Sequence, residues 1–176
     1  IPLRLVGSEM CIRDSSGMNT YVNLTSIDAR LDFGEPGVLV SDDSYMSKII
    51  TEKPNNLKQF TNLGYQSYYV SQEELDLMQK LFFDAYRLGD LSADIHESEP
   101  ILRDTDILSV DLSSVKASEL DHPKGLPNGF DGAQICKLMR YAGLSDRLSV
   151  LGVFNISDSL RTCLLYTSPS PRDVEE

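Results

Sequence analysis

Two apolar segments typical of β-strands each end in an aspartate, and this pattern constrains the fold of the chain more than any other. The first segment runs from Tyr21 to Ile27 and is followed by Asp28; the second runs from Asp106 to Leu112 and contains Asp111. The second is almost continuously apolar, as buried parallel strands are. In α/β sheets, carboxylates at strand ends often form cation sites, because the strand fixes the backbone and the following loop exposes the oxygens.

Helical and strand patterns alternate along the rest of the chain. Ser71 and Glu74 have the spacing of a capping box, and apolar residues at helical spacing predict a helix from there to Leu88, with Gly89 past its end. Further patterns predict helices over 44–51 and 135–143 and strands over 59–69 and 148–154. The order β-α-β-α-β-α-β predicts an α/β fold, a three-layer α/β/α arrangement with a mostly parallel sheet.

Both ends of the chain are predicted to be artefacts. Leu3 to Ser15 and Cys163 to Asp173 resemble sequencing-adapter DNA translated in frame, so residues 1–15 and 163–176 are excluded from the fold. The alternative is a disordered N-terminus and a Ser/Pro-rich tail. The remaining body, residues 16–162, has the length of one domain.

Composition and charge argue against several classes of protein. The net charge of −11 disfavours binding to the phosphate backbone of nucleic acids. Cys136 is the only cysteine outside the two ends, which argues against a disulfide framework and fits a reducing cytoplasm. No apolar run approaches the roughly eighteen residues that a membrane-spanning helix needs. We therefore expect a cytoplasmic protein with no nucleic-acid or membrane partner.

Several single residues are predicted to have structural roles. Cys136 falls on the predicted inward side of its helix, which indicates an inert core thiol. His96 and His122 lie in polar segments and are expected at the surface. The remaining prediction is that Tyr65, Tyr68 and Tyr69 pack against the sheet.

Two positions depart from what a metal site needs. Arg30 lies between Asp28 and Asp32, where a neutral imidazole could serve as a ligand. Ser113 stands where a second carboxylate would add to the charge of Asp111. From the residues alone, these aspartates also fit ordinary turn and surface positions, because Asp is common wherever strands end.

Five blocks of the sequence carry a resemblance to a known family. They are NLTSIDARLDFG, NLGYQSYYVSQEEL, DILSVDLSSV, PNGFDGAQICKLMRYAGLSD and LGVFNISD. The chain resembles the later part of the ureohydrolase family (arginase, agmatinase and formimidoylglutamase), and most closely its bacterial formimidoylglutamase-like branch. The resemblance implies an arginase-like fold. It also implies that residues 16–162 are a partial domain, because the family's upstream Gly-Gly-x-His segment has no match in the chain.

The resemblance implies a binuclear manganese chemistry and a set of site residues. In the family, aspartates and histidines hold two Mn²⁺ ions, which share a hydroxide that attacks a guanidinium or amidine carbon. Asp28 and Asp32 match the family's Asp-Ala-His-x-Asp motif, and Asp111 matches the first residue of its Asp-x-Asp motif. The implied assignments are Asp28, Asp32 and Asp111 as metal ligands, Arg30 and Ser113 as degenerate metal positions, and Asn128 and Asn155 as substrate-binding residues.

Two functions follow from these observations. The first is Mn²⁺-dependent hydrolysis of a guanidino or formimino C–N bond in a small amino-acid derivative, impaired in this chain because no catalytic set is intact. The second is a catalytically degenerate relative that has a structural or regulatory role and does not bind the binuclear metal centre. The homo-oligomer contacts that the resemblance implies could serve that role. Arg30 is always protonated and would repel each unit of cation charge about 4 Å away by about 4 kcal/mol at an effective dielectric near 20. We expect its guanidinium to bond Asp28, Asp32 or Asp111 instead.

Overall fold

Within the described residues, the chain forms a five-stranded parallel sheet with helices on both faces. This computed structural model describes residues 21–34, 44–51, 53, 56–120 and 125–156. The strands are β1 (Val22–Ile27), β2 (Leu57–Tyr65), β3 (Asp84–Arg87), β4 (Ile107–Asp111) and β5 (Val150–Phe154), in the order β3-β2-β1-β4-β5. Each neighbouring pair is parallel, which confirms the predicted parallel α/β sheet.

The helices divide between the two faces of the sheet. They are α1 (Tyr45–Thr51), α2 (Gln72–Lys80), α3 (Leu88–Ala93), α4 (Ser98–Arg103) and α5 (Gly132–Gly143), with short 3₁₀ turns at Ile95–Glu97 and Leu112–Ser114. Residues of α1 and α2 belong to one hydrophobic cluster, and residues of α3, α4 and α5 belong to the other. The chain therefore has the predicted three-layer α/β/α arrangement. No helix in the described part is long and apolar enough to span a membrane.

The two clusters follow from the alternation of side chains along each strand. Successive residues of a strand point to opposite faces, so Leu24 joins the first cluster and Ile27 joins the second. Met46 and Met78 cover the first face, and Leu138 covers the second. Each of these side chains is almost fully buried, which stabilises the fold by about 1.5–3 kcal/mol per residue.

The N-terminus of α2 is held by the predicted capping box. The Ser71 hydroxyl accepts a hydrogen bond from the Glu74 amide at 3.2 Å, and the Glu74 carboxylate accepts one from the Ser71 amide at 2.8 Å. We expect Ser71→Ala to lower the free energy of unfolding by about 1 kcal/mol, because one backbone donor loses its partner. Urea unfolding followed by circular dichroism measures this. Ser92→Ala, at an exposed position inside α3, is the matched control and should change stability little; equal effects of the two would contradict the capping argument.

The structure corrects the predicted end of α2. The helix ends at Lys80 rather than Leu88, and Phe82 follows with a φ of 58°. Residues 84–87 then form β3, an edge strand that the sequence analysis missed. Apolar residues between 81 and 88 fit helical spacing, but Phe83 and Ala85 pack on the first cluster while Tyr86 and Leu88 pack on the second. Side chains that alternate between the two faces of the sheet in this way are typical of a strand.

Two further predictions are wrong in detail. The strand predicted over 59–69 is β2, but it begins at Leu57 and ends at Tyr65, where a turn follows. Cys136 is exposed rather than buried, because Leu138, Tyr141 and Ala142 form the buried side of α5. His96 is exposed, as predicted. His122 and residues 1–15 and 163–176 lie outside the described residues, so the predicted division of the chain stays a prediction.

Candidate functional site at the carboxyl ends of the strands

The strand order reverses between β1 and β4, and we call the region at the carboxyl ends of these two strands the crevice. The chain leaves β1 towards β2 on one side and leaves β4 towards β5 on the other, so the two loops diverge. Open α/β sheets bind ligands at such a switch point. Ile27 of β1 pairs with Val110 of β4, so Asp28 and Asp111 come next at the same level of the sheet. Both side chains are buried, and the structure therefore brings together the two strand-end aspartates that define the sequence pattern.

The loop from Asp28 to Asp32 is fixed by hydrogen bonds at successive residues. Asp28 Oδ1 accepts the Arg30 amide at 3.0 Å, a local turn that orients the carboxylate. The Ala29 carbonyl accepts the Gln66 amide at 2.9 Å. Asp32 has a φ of 55°, and its carbonyl accepts the amide of Met46 in the first turn of α1. The buried carboxylates of Asp28 and Asp32 are thus held on a rigid backbone.

Both carboxylate oxygens of Asp111 accept hydrogen bonds within the protein. Oδ1 accepts the Ser113 amide at 2.7 Å and caps the 3₁₀ turn that follows β4. Oδ2 accepts the side-chain amide of Asn155 at 2.7 Å. Asn155 follows β5 and has a φ of 56°, a left-handed conformation that Asn adopts more readily than most residues. The predicted substrate residue Asn155 is thus in direct contact with a predicted metal ligand.

Arg30 packs on an aromatic ring beside the crevice. Its guanidinium carbon lies 5.2 Å from the ring centroid of Tyr69, within cation–π range. The predicted bond from Arg30 to Asp28, Asp32 or Asp111 stays a prediction. The prediction that the tyrosines pack on the sheet is confirmed for Tyr65, which packs on the first cluster, and is wrong for Tyr68, whose exposed fraction is 69%.

Two buried side-chain amides lie beside the crevice, and the sequence analysis did not identify either. Asn62 Nδ2 donates to the Arg30 carbonyl at 2.9 Å, and Gln66 Nε2 donates to the Asn128 carbonyl at 2.9 Å. The oxygens of both amides are buried and have no hydrogen-bond partner among the described residues. Unpartnered buried acceptors are rare in folded proteins, so each indicates a donor that a ligand or solvent supplies. Asn62 lies within β2 and Gln66 directly follows it.

Asn128 lies at the outer side of this arrangement. It is exposed, and its side-chain amide donates to the Tyr68 hydroxyl at 3.1 Å. Through its carbonyl and Gln66 it connects the loop before α5 to the end of β2. The structure therefore places Asn128 at the rim of the crevice, while a substrate contact of this residue stays a prediction.

The described residues do not fit a binuclear manganese centre. In the described part of the chain, no group of three or more His, Cys, Asp and Glu side chains is placed to hold a metal ion. Such a centre needs bridging carboxylates and imidazoles, whereas Arg30 contributes a permanent positive charge and Ser113 contributes a neutral hydroxyl. Both oxygens of Asp111 already accept protein hydrogen bonds. The roles of Asp28, Asp32 and Asp111 as metal ligands stay predictions.

Three solved structures of other proteins have a fold similar to that of this chain. Bacillus subtilis formimidoylglutamase has a TM-score of 0.71 at 16% identity, over 85% of this chain and 49% of that chain. Trypanosoma cruzi formiminoglutamase with Mn²⁺ has a TM-score of 0.69 at 15% identity, over 79% and 50%. Entamoeba histolytica arginase in complex with L-ornithine has a TM-score of 0.68 at 16% identity, over 81% and 55%. These matches confirm the arginase-like fold, and the chain spans about half the length of each.

Comparison of sequences does not assign the chain to a family. No protein-family model matches the chain, and no curated protein matches it. At these identities the likeness to the solved structures establishes the fold alone, so function is inferred from the residues of the crevice.

Proposed function

We propose that this chain belongs to a ureohydrolase relative that binds a small guanidino or formimino compound in the crevice but does not hydrolyse it. The observation that carries this proposal is the state of Asp111, whose two oxygens accept hydrogen bonds from Ser113 and Asn155. The Mn²⁺ pair of the family supplies a hydroxide nucleophile. A crevice with Arg30 in place of an imidazole and Ser113 in place of a carboxylate lacks the ligands for that chemistry.

The ligand class follows from the acceptors of the crevice. Asn62 Oδ1 and Gln66 Oε1 are buried acceptors without a donor among the described residues, and Asp28 and Asp32 are buried carboxylates in the adjacent loop. Guanidino and formimino groups carry several N–H donors on a planar, positively charged carbon, and such donors form strong bonds with carboxylates and amide oxygens. The formiminoglutamase structures and the arginase solved with L-ornithine support the same class of small amino-acid ligand.

A metal-dependent hydrolase is the second candidate function. The specific observation in its favour is that Asp28, Asp32 and Asp111 are all at least 95% buried at one edge of the sheet. Concentrating buried carboxylates is costly unless donors or a cation compensate their charge. This reading requires Mn²⁺ to bind despite Arg30, with ligands from outside the described residues.

One set of measurements separates the two candidates. The purified chain is titrated by calorimetry with N-formimidoyl-L-glutamate, agmatine and L-arginine, and the same compounds are then incubated with the chain and added Mn²⁺. We expect at least one compound to bind and none to be hydrolysed. Mn²⁺-dependent release of ammonia, formamide or urea would instead establish the hydrolase. A folded chain that binds none of the compounds would contradict the proposed binding function.

Gln66 provides a test of the binding site itself. We expect Gln66→Leu to weaken binding of the ligand about tenfold or more, because a buried acceptor for an N–H donor is lost. The matched control is Gln79→Leu, at an exposed position on α2. Calorimetric titration of both variants measures the difference, and thermal unfolding checks that both are folded. If the two variants bind the ligand equally well, Gln66 does not contact it.

Assembly and location complete the proposal. We propose that the protein forms a homo-oligomer, as the family resemblance implies, and that it lies in the cytoplasm, where Cys136 would stay reduced. Light scattering of the purified chain tests the first point: a single species with the mass of one chain would contradict it.

A further inference from the structure

A second polar cavity lies at the opposite end of the sheet from the crevice. It has a volume of about 270 Å³ and lies between the amino ends of β1, β2 and β3 and the helix α4. Its polar side chains include Asn23 and Thr25 from β1, Gln59 and Thr61 from β2, and Thr105 after α4. Three of these, Asn23, Thr25 and Thr61, are buried on the face that packs apolar residues further along the same strands. A polar surface here is therefore not explained by packing.

The two amides of the cavity have no proton left to donate. Asn23 Nδ2 donates to the Asp104 carbonyl at 2.8 Å and to Asp104 Oδ2 at 2.9 Å. Gln59 Nε2 donates to the Phe82 carbonyl at 3.2 Å and to Asp84 Oδ2 at 2.9 Å. A side-chain amide has two N–H protons, and these partners are all acceptors, so the orientation of each amide is fixed. Only the amide oxygens remain, and Asn23 Oδ1 is buried without a partner among the described residues.

The hydroxyls of Thr25 and Thr105 also have no proton left to donate to a ligand. Thr105 Oγ1 donates to the Ile101 carbonyl at 2.9 Å and lies 2.7 Å from Thr25 Oγ1. A hydroxyl has one proton, so the bond between the two threonines must be donated by Thr25. Thr25 Oγ1 therefore presents only acceptor lone pairs to the cavity. Of the lining side chains within the described residues, only Thr61 retains a proton to donate.

The charge of the cavity is negative. Asp84 and Asp104 line it, and none of the described residues that line it is basic. Arg147 compensates Asp104 through a contact of 2.7 Å. Asp84 makes no ion pair with any described residue. Burial, followed by the charges of Asp84 and Glu97, raises the pKa of Tyr86 on the same face of the sheet.

We propose that this cavity binds a small primary ammonium compound with a short alkyl chain. An ammonium group has three N–H donors and a positive charge, which match a cavity whose groups are almost all acceptors and whose Asp84 is uncompensated. The volume is several times the roughly 30 Å³ share of one water molecule, which leaves room for a ligand of several heavy atoms. Pro100 and Ile101 provide an apolar wall for the alkyl chain.

The proposal is tested with propylammonium chloride as the probe. The full 176-residue chain is titrated while NMR follows the side-chain amides of Asn23 and Gln59, and we expect saturable shifts with a dissociation constant on the order of 1–10 mM. Tetramethylammonium chloride has the same charge and no N–H donor, and it should leave these resonances unchanged. Shifts that do not saturate at ten times the expected dissociation constant, or equal shifts from both salts, would overturn the proposal.

A pair of variants tests the charge requirement. Asp84→Asn should weaken propylammonium binding about tenfold or more, because a charge-assisted bond is replaced by a neutral one. Asp84 is exposed at the mouth of the cavity, so the variant should fold, and thermal unfolding checks this. Asp76→Asn, on α2 at the other face of the sheet, is the matched control and should bind as the parent chain does. Equal binding by the two variants would show that Asp84 does not hold the ligand and would overturn the proposal.

Discussion

Gly64→Ala is expected to lower the free energy of unfolding by about 3 kcal/mol, the largest effect of any single substitution we propose. Gly64 has a φ of 103°, a conformation that residues with a Cβ adopt only under strain. A Cβ built on it would lie 2.4 Å from Cε2 and 2.8 Å from Cζ of Phe130. The Phe130 ring is fully buried in the second cluster, so moving it aside would disturb the side chains packed around it. The losses of stability from backbone strain and from overpacking therefore add to each other.

The matched control is Gly143→Ala at the end of α5. A Cβ there meets no atom within 4 Å, and its φ is not in the positive range. We expect that variant to be neutral or to gain up to about 1 kcal/mol, because alanine favours helix more than glycine does. Urea unfolding measures both variants. A loss of less than about 1 kcal/mol in Gly64→Ala would show that Phe130 can be displaced at little cost, which the packing of the second cluster does not allow.

Gly64 also determines the position of Gln66, the crevice residue that the sequence analysis did not identify. The pairing of β2 with β3 shifts register between Leu63 and Tyr65, so the strand is irregular at this glycine. Gln66 comes directly after the irregularity, and its backbone amide turns to the Ala29 carbonyl. A strand predicted to continue to residue 69 would have placed Gln66 within a regular ladder. Its position in the crevice therefore depends on a backbone feature that periodicity does not show.

The sequence predicted the centre of the sheet well, for a simple reason. β1 and β4 are buried on both faces, so the near-continuous apolar run of β4 and the β-rich sequence of β1 reflect the environment of the strands directly. The aspartates that follow them mark the carboxyl ends, and parallel pairing brings those ends together. The strand pattern alone thus placed Asp28 and Asp111 at strand ends, whereas their assignment as site residues came from the family resemblance.

The edge of the sheet was harder to predict than its centre. β3 has only four residues and one paired neighbour, so its alternation is too short to compete with a helical pattern that began at Ser71. Helices commonly end with glycine in the left-handed conformation, and here Phe82 takes that conformation instead. The usual stop signal is absent from the sequence.

The second large effect is expected from the double substitution Arg30→His and Ser113→Asp. We expect it to raise the affinity of the chain for Mn²⁺ at least 100-fold, which corresponds to about 2.7 kcal/mol. The substitution of Arg30 removes a permanent positive charge from the loop that carries Asp28 and Asp32, and it adds an imidazole ligand. The new carboxylate at residue 113 lies close to Asp111 in the chain and adds a second oxygen donor.

Matched single variants separate charge from ligation in this experiment. Arg30→Gln removes the positive charge without adding an imidazole, so it should give only part of the increase, and Ser113→Ala should give none. Calorimetric titration with Mn²⁺ measures all four chains. If the double variant binds Mn²⁺ no better than the parent chain, Asp28, Asp32 and Asp111 are not arranged as metal ligands.

Adding Asn155→Ala to the double variant should raise the affinity for Mn²⁺ again. Asp111 Oδ2 accepts a hydrogen bond from the Asn155 side-chain amide in the parent chain, and a metal ion would have to replace that bond. The same hydrogen bond thus links the low metal affinity expected of the parent chain to the geometry at the end of β5.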